Sequence, residues 1–338
     1  VALDPDQRSR LLGTKIRVLV DGQWPVGLDA SDTPREPVAF GGGAAVVQGG
    51  RAWVLLDGRD HGLGAVLAWA RARGIDELDV LADADATDPG VLARRAAAFE
   101  PTPGVWRVDG TRLVRAEPSP WTDPPAPPDT VLAAADALSR AGLDVVVDHG
   151  VVSGEVLGLE VARVVVGADG IAQVEVGVGR TDREAFAMVH GHLPVDEALQ
   201  SVVDTVRAQR RVGAGSHPLS RLAGERWLRS HLLGDPDRLP GWQLEAVEGP
   251  IPRGSVNDVV PAIAAGTDAE GRPVVLACSV GIDLEVVPLA AEAREVRDPG
   301  ARLVIALPAR DAHDLTRSLA ASLRRPAEVV PIEGDWRR

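Results

Sequence analysis

The chain of 338 residues holds one cysteine, no tyrosine, three phenylalanines and a single lysine, Lys15. One thiol, Cys278, cannot form an internal disulfide, and its solitude excludes a zinc site built on several thiolates. No stretch approaches 18 uninterrupted apolar residues, the length a membrane-crossing helix needs. The first ten residues are polar and charged, unlike a basic-then-apolar signal sequence. These absences together predict a cytoplasmic protein without a membrane segment. Positive charge is also in deficit: the formal net charge is −13 and the sequence pI about 5.0. An acidic surface repels a nucleic-acid duplex unless its basic residues are segregated, which excludes wholesale nucleic-acid binding. A local patch of arginines is then the route left for a nucleic acid or nucleotide partner.

The residues present favour a folded α/β protein. With 45% hydrophobic and 25% charged residues, the chain matches globular composition, and its length allows two to three domains. The pattern predicts two similar β-α-β-α-β segments flanking an α+β middle region with a long β-hairpin and helices. In the first segment, strands at Trp53–Leu56, Leu78–Leu81 and Val105–Val108 alternate with helices at Leu63–Ala72 and Val91–Phe99. In the second, strands at Val274–Ala277, Leu303–Leu307 and Glu328–Ile332 alternate with helices at Leu284–Arg294 and Ala312–Leu323. Each copy closes near a tryptophan, Trp106 and Trp336. Such alternation implies parallel pairing and right-handed crossovers. Ile16–Val20 reads as a further strand. Gly41-Gly42-Gly43 precedes a strand, Ala44–Val47, rather than following one, and no Lys-Ser/Thr accompanies it, so it reads as a turn and not a phosphate loop. Residues 1–116 would form an N-terminal α/β domain and 117–128 a proline-rich linker. Residues 129–240 would form the middle region and 241–338 a C-terminal α/β domain.

The middle region is expected to run helix Thr130–Ala141, strand Val145–Val147, a hairpin of Glu155–Val166 with Ile171–Val178, and three helices. Thr181 with Glu184 reads as a capping box for helix Asp182–His190, and Pro194 opens helix Val195–Arg211. The third helix covers Pro218–Leu233. Gly167-Ala168-Asp169-Gly170 is good turn chemistry for the hairpin. A two- or four-residue loop would set Val161 opposite Val176 and place Glu160 and Glu175 on one face, about 5–8 Å apart. A three-residue loop would put them on opposite faces. Small neighbours around the acids (Gly158, Ala162, Gly177, Gly179) leave room for a helix or a ligand. Two such carboxylates could share a divalent cation, Mg²⁺ or Mn²⁺, or divide into acid and base. The plainer alternative pairs them with Arg163 or Arg180.

This arrangement resembles the core of the PD-(D/E)XK nuclease superfamily across residues 129–212. Asp148 closes the strand before the hairpin, and Glu175-Val176-Gly177 stands where that family has Glu-x-Lys. The lysine is missing, and Arg180 lies three residues beyond. The resemblance implies a metal-dependent phosphodiesterase or nuclease-like protein, with Glu160, Glu175 and Arg180 catalytic and Asp148, Glu160 and Glu175 holding the metal. The next helices are rich in arginine: Arg207, Arg210 and Arg211, then Arg221, Arg226 and Arg229 beside His217. His217, Arg221, Arg226 and Arg229 form a candidate phosphate-binding patch, since arginine forks match phosphate geometry. The alternative is a solvated face in which Arg221, Glu225 and Arg229 pair at every fourth residue.

Other chemistry is available at the strand ends. Asp83-Ala84-Asp85-Ala86-Thr87 resembles the nucleophile motif of the haloacid dehalogenase superfamily, without its downstream lysine. Asp57, Asp60 and His61 follow the first segment's opening strand, where open α/β sheets bind ligands. Cys278, Ser279 and Asp283 hold the equivalent place in the second segment, with His313 as a candidate base for a cysteine hydrolase. His190 and His192 read as a helix terminus rather than a metal pair. The segments GEVLGLEVARVV, EVGVGRTDREAF, HPLSRLAGERWLR and CSVGIDLEVVP resemble those of an uncharacterised family of actinobacterial conserved proteins. That resemblance implies a bacterial cytoplasmic setting and no particular chemistry. The rival class is a non-enzymatic binding or scaffold protein, which could act as a homo-oligomer.

Overall fold

The computed structural model describes residues 4–24, 37–40, 43–56, 62–83, 88–190, 194–211 and 217–334. Asp57, Asp60, His61, Asp85, Thr87, His192, Trp336 and the first two glycines of the 41–43 run lie outside the described residues. The architecture is α/β, built on three sheets. Two compact units account for the chain. One holds residues 1–121 with 287–292 and 314–327; the other holds 122–286 with 293–313 and 328–338. The boundary at 121/122 falls inside the proline-rich stretch, and residues 116–128 carry neither helix nor strand. The division does not follow the boundaries expected at 128/129 and 240/241.

The first unit opens with helix α1 (Pro5–Gln23), followed by strands β1 (Pro37–Phe40), β2 (Gly43–Gln48) and β3 (Arg51–Leu56). Helix α2 (Leu63–Ala72), β4 (Glu77–Asp83), α3 (Pro89–Ala96), β5 (Gly104–Asp109) and β6 (Arg112–Arg115) complete the series. The strands lie in sequence order, with β3, β4 and β5 parallel and the outer pairs antiparallel. Residues 16–20 are helical, which corrects the strand expected there. Pro5 suits a first helical turn, and Leu12, Ile16, Leu19 and Val20 recur on one stripe that buries against Val46, Trp53 and Leu55. The local run of β-branched residues yields to that longer amphipathic period.

The second unit's first layer carries α4 (Asp129–Ala134), α5 (Asp136–Arg140), β7 (Asp144–Asp148), β8 (Val151–Val156), β9 (Leu159–Val166), β10 (Ala172–Val176), α6 (Gly179–His190) and α7 (Val195–Gln209). Its four strands form an antiparallel meander, β10-β9-β8-β7. Helix α8 (Gly224–Leu233), after a short 3-10 turn at Pro218–Ser220, leads to β11 (Gln243–Val247), β12 (Ala262–Thr267) and β13 (Pro273–Cys278). In chain order follow α9 (Val286–Arg297), whose residues 287–292 count with the first unit, β14 (Arg302–Pro308), α10 (Asp314–Ala321), which belongs to the first unit, and β15 (Glu328–Ile332). The third sheet, β11 to β15, repeats the order and pairing sense of β1 to β5: two antiparallel steps, then two parallel ones.

Two hairpin details position the site. The expected continuous strand from Glu155 is broken at Leu157 and Gly158, which turn β8 into β9 with φ values of 49° and 74°. A two-residue hairpin turn of type I′ requires positive φ at both positions. Leu157 meets that cost while packing against two apolar cores. A Cβ at position 158 would overlap the Arg226 carbonyl and the Trp227 amide, so glycine there lets α8 approach the hairpin backbone to backbone. In the second hairpin the register sets Glu175 opposite Arg163 and Val176 opposite Ala162. Gly167 N–H donates to the Ile171 carbonyl at 2.9 Å, enclosing a three-residue loop. That is one step from the expected register, but β9 carries a bulge at Val161, where Gly154 pairs with Ala162 and Glu155 with Glu160, so simple alternation does not separate the two acids, and Arg183 lies within ion-pair reach of both. Helix α8 buries Trp227, Leu228 and Leu232 against the third sheet, and its remaining face carries arginines toward the meander.

Candidate functional site: an arginine-lined cavity

The second unit contains a cavity of about 610 Å³. Five arginines line it (Arg163, Arg180, Arg183, Arg226 and Arg253) against two carboxylates, Asp148 and Glu160. His149, Ser153, Thr181, Ser255 and Asn257 supply further polar groups. One wall is built by β9 and the start of α6. Arg163 grips Glu160 with two parallel hydrogen bonds, Nε to Oε1 and Nη2 to Oε2, both 2.9 Å. Arg183, only 7% exposed, donates from Nη1 to Glu160 Oε1 at 2.9 Å. Its Nε lies 3.5 Å from Glu175 Oε2 but is buried without a hydrogen-bond partner.

The opposite wall is built by α8 and the segment 252–258. Arg226 donates to Asp148 and to the buried Glu155, which also accepts from Arg229 Nη2 at 3.3 Å. Arg253, 8% exposed, donates to Glu225 at 2.8 Å, while its Nη1 is buried without a hydrogen-bond partner. The segment is held closed by Asp258, whose carboxylate accepts from the amides of Gly254 and Ser255 at 2.8 Å.

Burial sets the electrostatics of this wall. It pulls the Arg229 guanidinium below its ordinary pKa, with Glu155 opposing and neighbouring Arg226 reinforcing the drop. Burial also acts to lower Arg226, but Glu155 and Asp148 together outweigh it and hold Arg226 above its usual value. Asp144 is raised by burial and by Glu155, against the pull of Arg229 and Arg207. Such buried pairs hold only because each charge keeps an opposite partner.

The sequence-expected residues are distributed unevenly around this cavity. Glu160 lines it, paired with Arg163 as the plainer alternative had it; Glu175 is half-exposed and meets the other side of Arg183. Arg180 stands at the rim, 86% exposed, and pairs with Glu184 at 3.3 Å. This pairing replaces the capping box, and α6 begins earlier, at Gly179. Of the expected phosphate patch, Arg226 alone lines the cavity. Arg229 is buried on Glu155, Arg221 is exposed elsewhere, and His217 Nδ1 accepts from Leu219 N–H as a helix cap. The fourth-residue ladder is also replaced, since Glu225 pairs with Arg253. Arg210 is buried and ties the Leu157, Leu219 and Leu222 carbonyls together.

Among the described residues, the group able to surround a cation is Asp148, His149 and Glu248, with ligand atoms within 4.8 Å of one another. Glu160 and Glu175 are not part of it, so of the expected metal set Asp148 alone belongs. Glu248 accepts from the His149 amide, and His149 Nε2 lies 3.8 Å from Asp148 Oδ1. Arg183, Arg253, His149 and Glu248 carried no sequence signal as site residues. Arg253 follows an exposed proline, and His149 sits in a tight turn at φ 49°, a conformation histidine enters more readily than most residues.

The strand-end chemistry separates into two cases. Cys278 is fully buried, and burial pushes its thiol up to about 12, the reverse of the exposed, depressed thiol that a cysteine nucleophile needs. Asp83 accepts from Lys15 at 3.0 Å, so the chain's one lysine does reach the aspartate, from α1. Both side chains are about two-fifths exposed. Among the described residues no helix is long and apolar enough to cross a membrane. The fold and site thus define a mixed α/β protein with an arginine-lined polar cavity that opens to the surface at Arg180. No family model, curated protein or solved structure matches the chain.

Proposed function

We propose that the chain binds a phosphate-bearing partner in the cavity between the β7–β10 meander and α8. The observation that supports this reading is the excess of arginine over carboxylate in the lining, five against two. The planar guanidinium fork suits a phosphate group. The N-terminal turn of α6 borders the same space and adds a favourable dipole for an anion. A bacterial cytoplasm, as the sequence resemblance implies, would supply such partners and keep Cys278 reduced. Calorimetric titration with inorganic phosphate, a mononucleotide and a short single-stranded DNA tests the reading and its ligand range. Saturable binding that Arg226→Gln weakens supports it; no heat with any of the three sinks it.

A second reading, metal-dependent phosphodiesterase chemistry, is favoured by the Asp148–His149–Glu248 group, two of whose members line the cavity. A Mg²⁺ or Mn²⁺ ion there would neutralise a phosphate held by the arginines. Arg226 beside Asp148 works against the cation. Calorimetry with Mn²⁺ on wild type and on His149→Ala decides this point: binding lost in the variant supports the metal, and no wild-type binding leaves the cavity a binding site alone.

A further inference from the structure

A second cavity, of about 250 Å³, lies wholly within the first unit, where β3, β4 and β5 begin. It is at the opposite end of that sheet from Asp83, the last residue of β4. One side is apolar: Leu67 and Ala70 of α2, Leu78 of β4, and Phe99, Pro101 and Pro103 between α3 and β5. Strand alternation turns Leu78 to one face and its neighbours Glu77 and Asp79 to the other, so apolar and charged linings meet at the sheet's starting edge. The α3–β5 connection is fixed in place. The Glu100 amide donates to the Ser322 carbonyl at 2.9 Å, and the Arg324 amide to the Ala98 carbonyl at 2.8 Å.

The charges in this lining are unequally committed. Of its four carboxylates, Asp79 accepts from Arg51 at 2.6 Å and from the Trp106 indole at 2.7 Å. Glu77 faces Arg51 and Glu100 faces Arg324, each at 3.6 Å, which leaves Asp76 exposed beside Gly50. Of its three arginines, Arg51 is committed to Asp79, and Arg71 donates to the neutral Ser318 hydroxyl at 3.0 Å. Arg115 lies over the Trp106 ring, 5.2 Å from its centroid. Among the described residues neither Arg71 nor Arg115 forms an ion pair, so two uncompensated cations stand against one uncompensated acid. Gly104 lets Arg115 come in: a Cβ there would lie 2.9 Å from Arg115 Nη1 and 2.1 Å from Asp79 Oδ1.

We infer that this cavity binds a small carboxylic acid with an apolar body, its carboxylate on Arg115 and its hydrocarbon part against Phe99, Leu67 and Leu78. The site is separate from the phosphate cavity and does not rest on that reading. An apolar pocket with a few polar groups to fix orientation is the usual form of a small-molecule site. A guanidinium already laid flat on an indole offers its edge to a carboxylate and loses little freedom on binding. The volume is below the roughly 300–1,000 Å³ of drug-sized sites, which limits the body to a short branched or phenyl group.

The test is ligand-detected NMR titration of the full chain with phenylacetate, 3-phenylpropanoate and 4-methylpentanoate. Each is compared with its primary amide, with acetate and with 3-phenylpropylamine. The expected result is at least one of the three acids binding about tenfold or more tighter than its amide and than acetate. Arg115→Gln should remove that preference, whereas Arg226→Gln, in the other cavity, should leave it unchanged. Equal affinity of acid and amide overturns the inference, because the charge then contributes nothing. Acetate binding as well as the larger acids overturns it, because the apolar side then contributes nothing. Tighter binding of the amine, or no binding of any acid, overturns it too, as does a preference that Arg226→Gln abolishes and Arg115→Gln keeps. The wild-type comparison of acid, amide, acetate and amine decides the matter even where a variant fails to fold.

Discussion

Arg226 reaches from α8 into the meander and is held by Glu155, a carboxylate 3% exposed at the end of β8. That contact joins the helix packed on the third sheet to the sheet that carries Glu160. The same glutamate holds Arg229, so one buried negative charge supports two buried positive ones. The cavity's second wall depends on this arrangement.

Glu155→Gln is therefore expected to destabilise the protein severely. Removing one charge from a buried network leaves its partners uncompensated, at a cost of about 3–5 kcal/mol. Urea denaturation of the purified variant measures it. A loss within about 0.5 kcal/mol, the range of surface substitutions, would show that Glu155 does not carry the wall.

Glu160→Gln should act in the opposite direction on ligand binding. Glu160 holds Arg163 and Arg183 and competes with any incoming anion for both. Its neutralisation removes a repulsive charge, and phosphate affinity should rise by about three- to tenfold. Isothermal titration of wild type and variant gives the answer. Weaker phosphate binding in the variant would mean that Glu160 orients the arginines more than it competes with ligand.

Asp283 supplies a pH-dependent test of stability. Burial raises its carboxyl to about 6, with Glu225 adding to the rise and the Glu285 amide opposing it. The folded state then holds the proton more tightly than the unfolded chain, whose aspartates titrate near 3.9. Ionised Asp283 costs stability fully above pH 6, progressively less as pH falls toward 4, and nothing below that. Asp283→Asn should stabilise the protein on the order of 3 kcal/mol at pH 8, with the gain shrinking to near zero at pH 4. Thermal unfolding at both pH values measures the difference, and a gain independent of pH would point to packing instead.

Cys278 should resist thiol reagents in the folded protein at pH 8, because it is buried and its thiol is raised to about 12. Rapid labelling should appear only in guanidinium chloride. Fast reaction of the native protein would restore it as a candidate nucleophile.

Much of the fold is legible in the sequence, and the limits are instructive. Leu63–Ala72 and Glu328–Ile332 emerge with the expected bounds because apolar periodicity and flanking breakers agree there. Residues 16–20 mislead because a β-branched run lies inside a longer helical stripe. The relation of Glu160 to Glu175 depends on a one-residue choice of loop length and on the bulge at Val161, neither of which turn residues alone decide. The break at Leu157 is hidden because leucine rarely adopts positive φ, and only tertiary packing on both sides rewards it. Arg226 was visible as one arginine among several. Its partners Asp148 and Glu155 lie 78 and 71 residues away, a separation that local pattern does not bridge.

The most direct measurement is side-chain NMR of the arginine Nε–Hε groups during titration with a phosphorylated ligand. Saturable shifts in the Arg183 and Arg253 signals at millimolar phosphate, with Arg210 and Arg272 unmoved, are the expected result. Uniform or absent shifts across all arginines would contradict a phosphate site in this cavity.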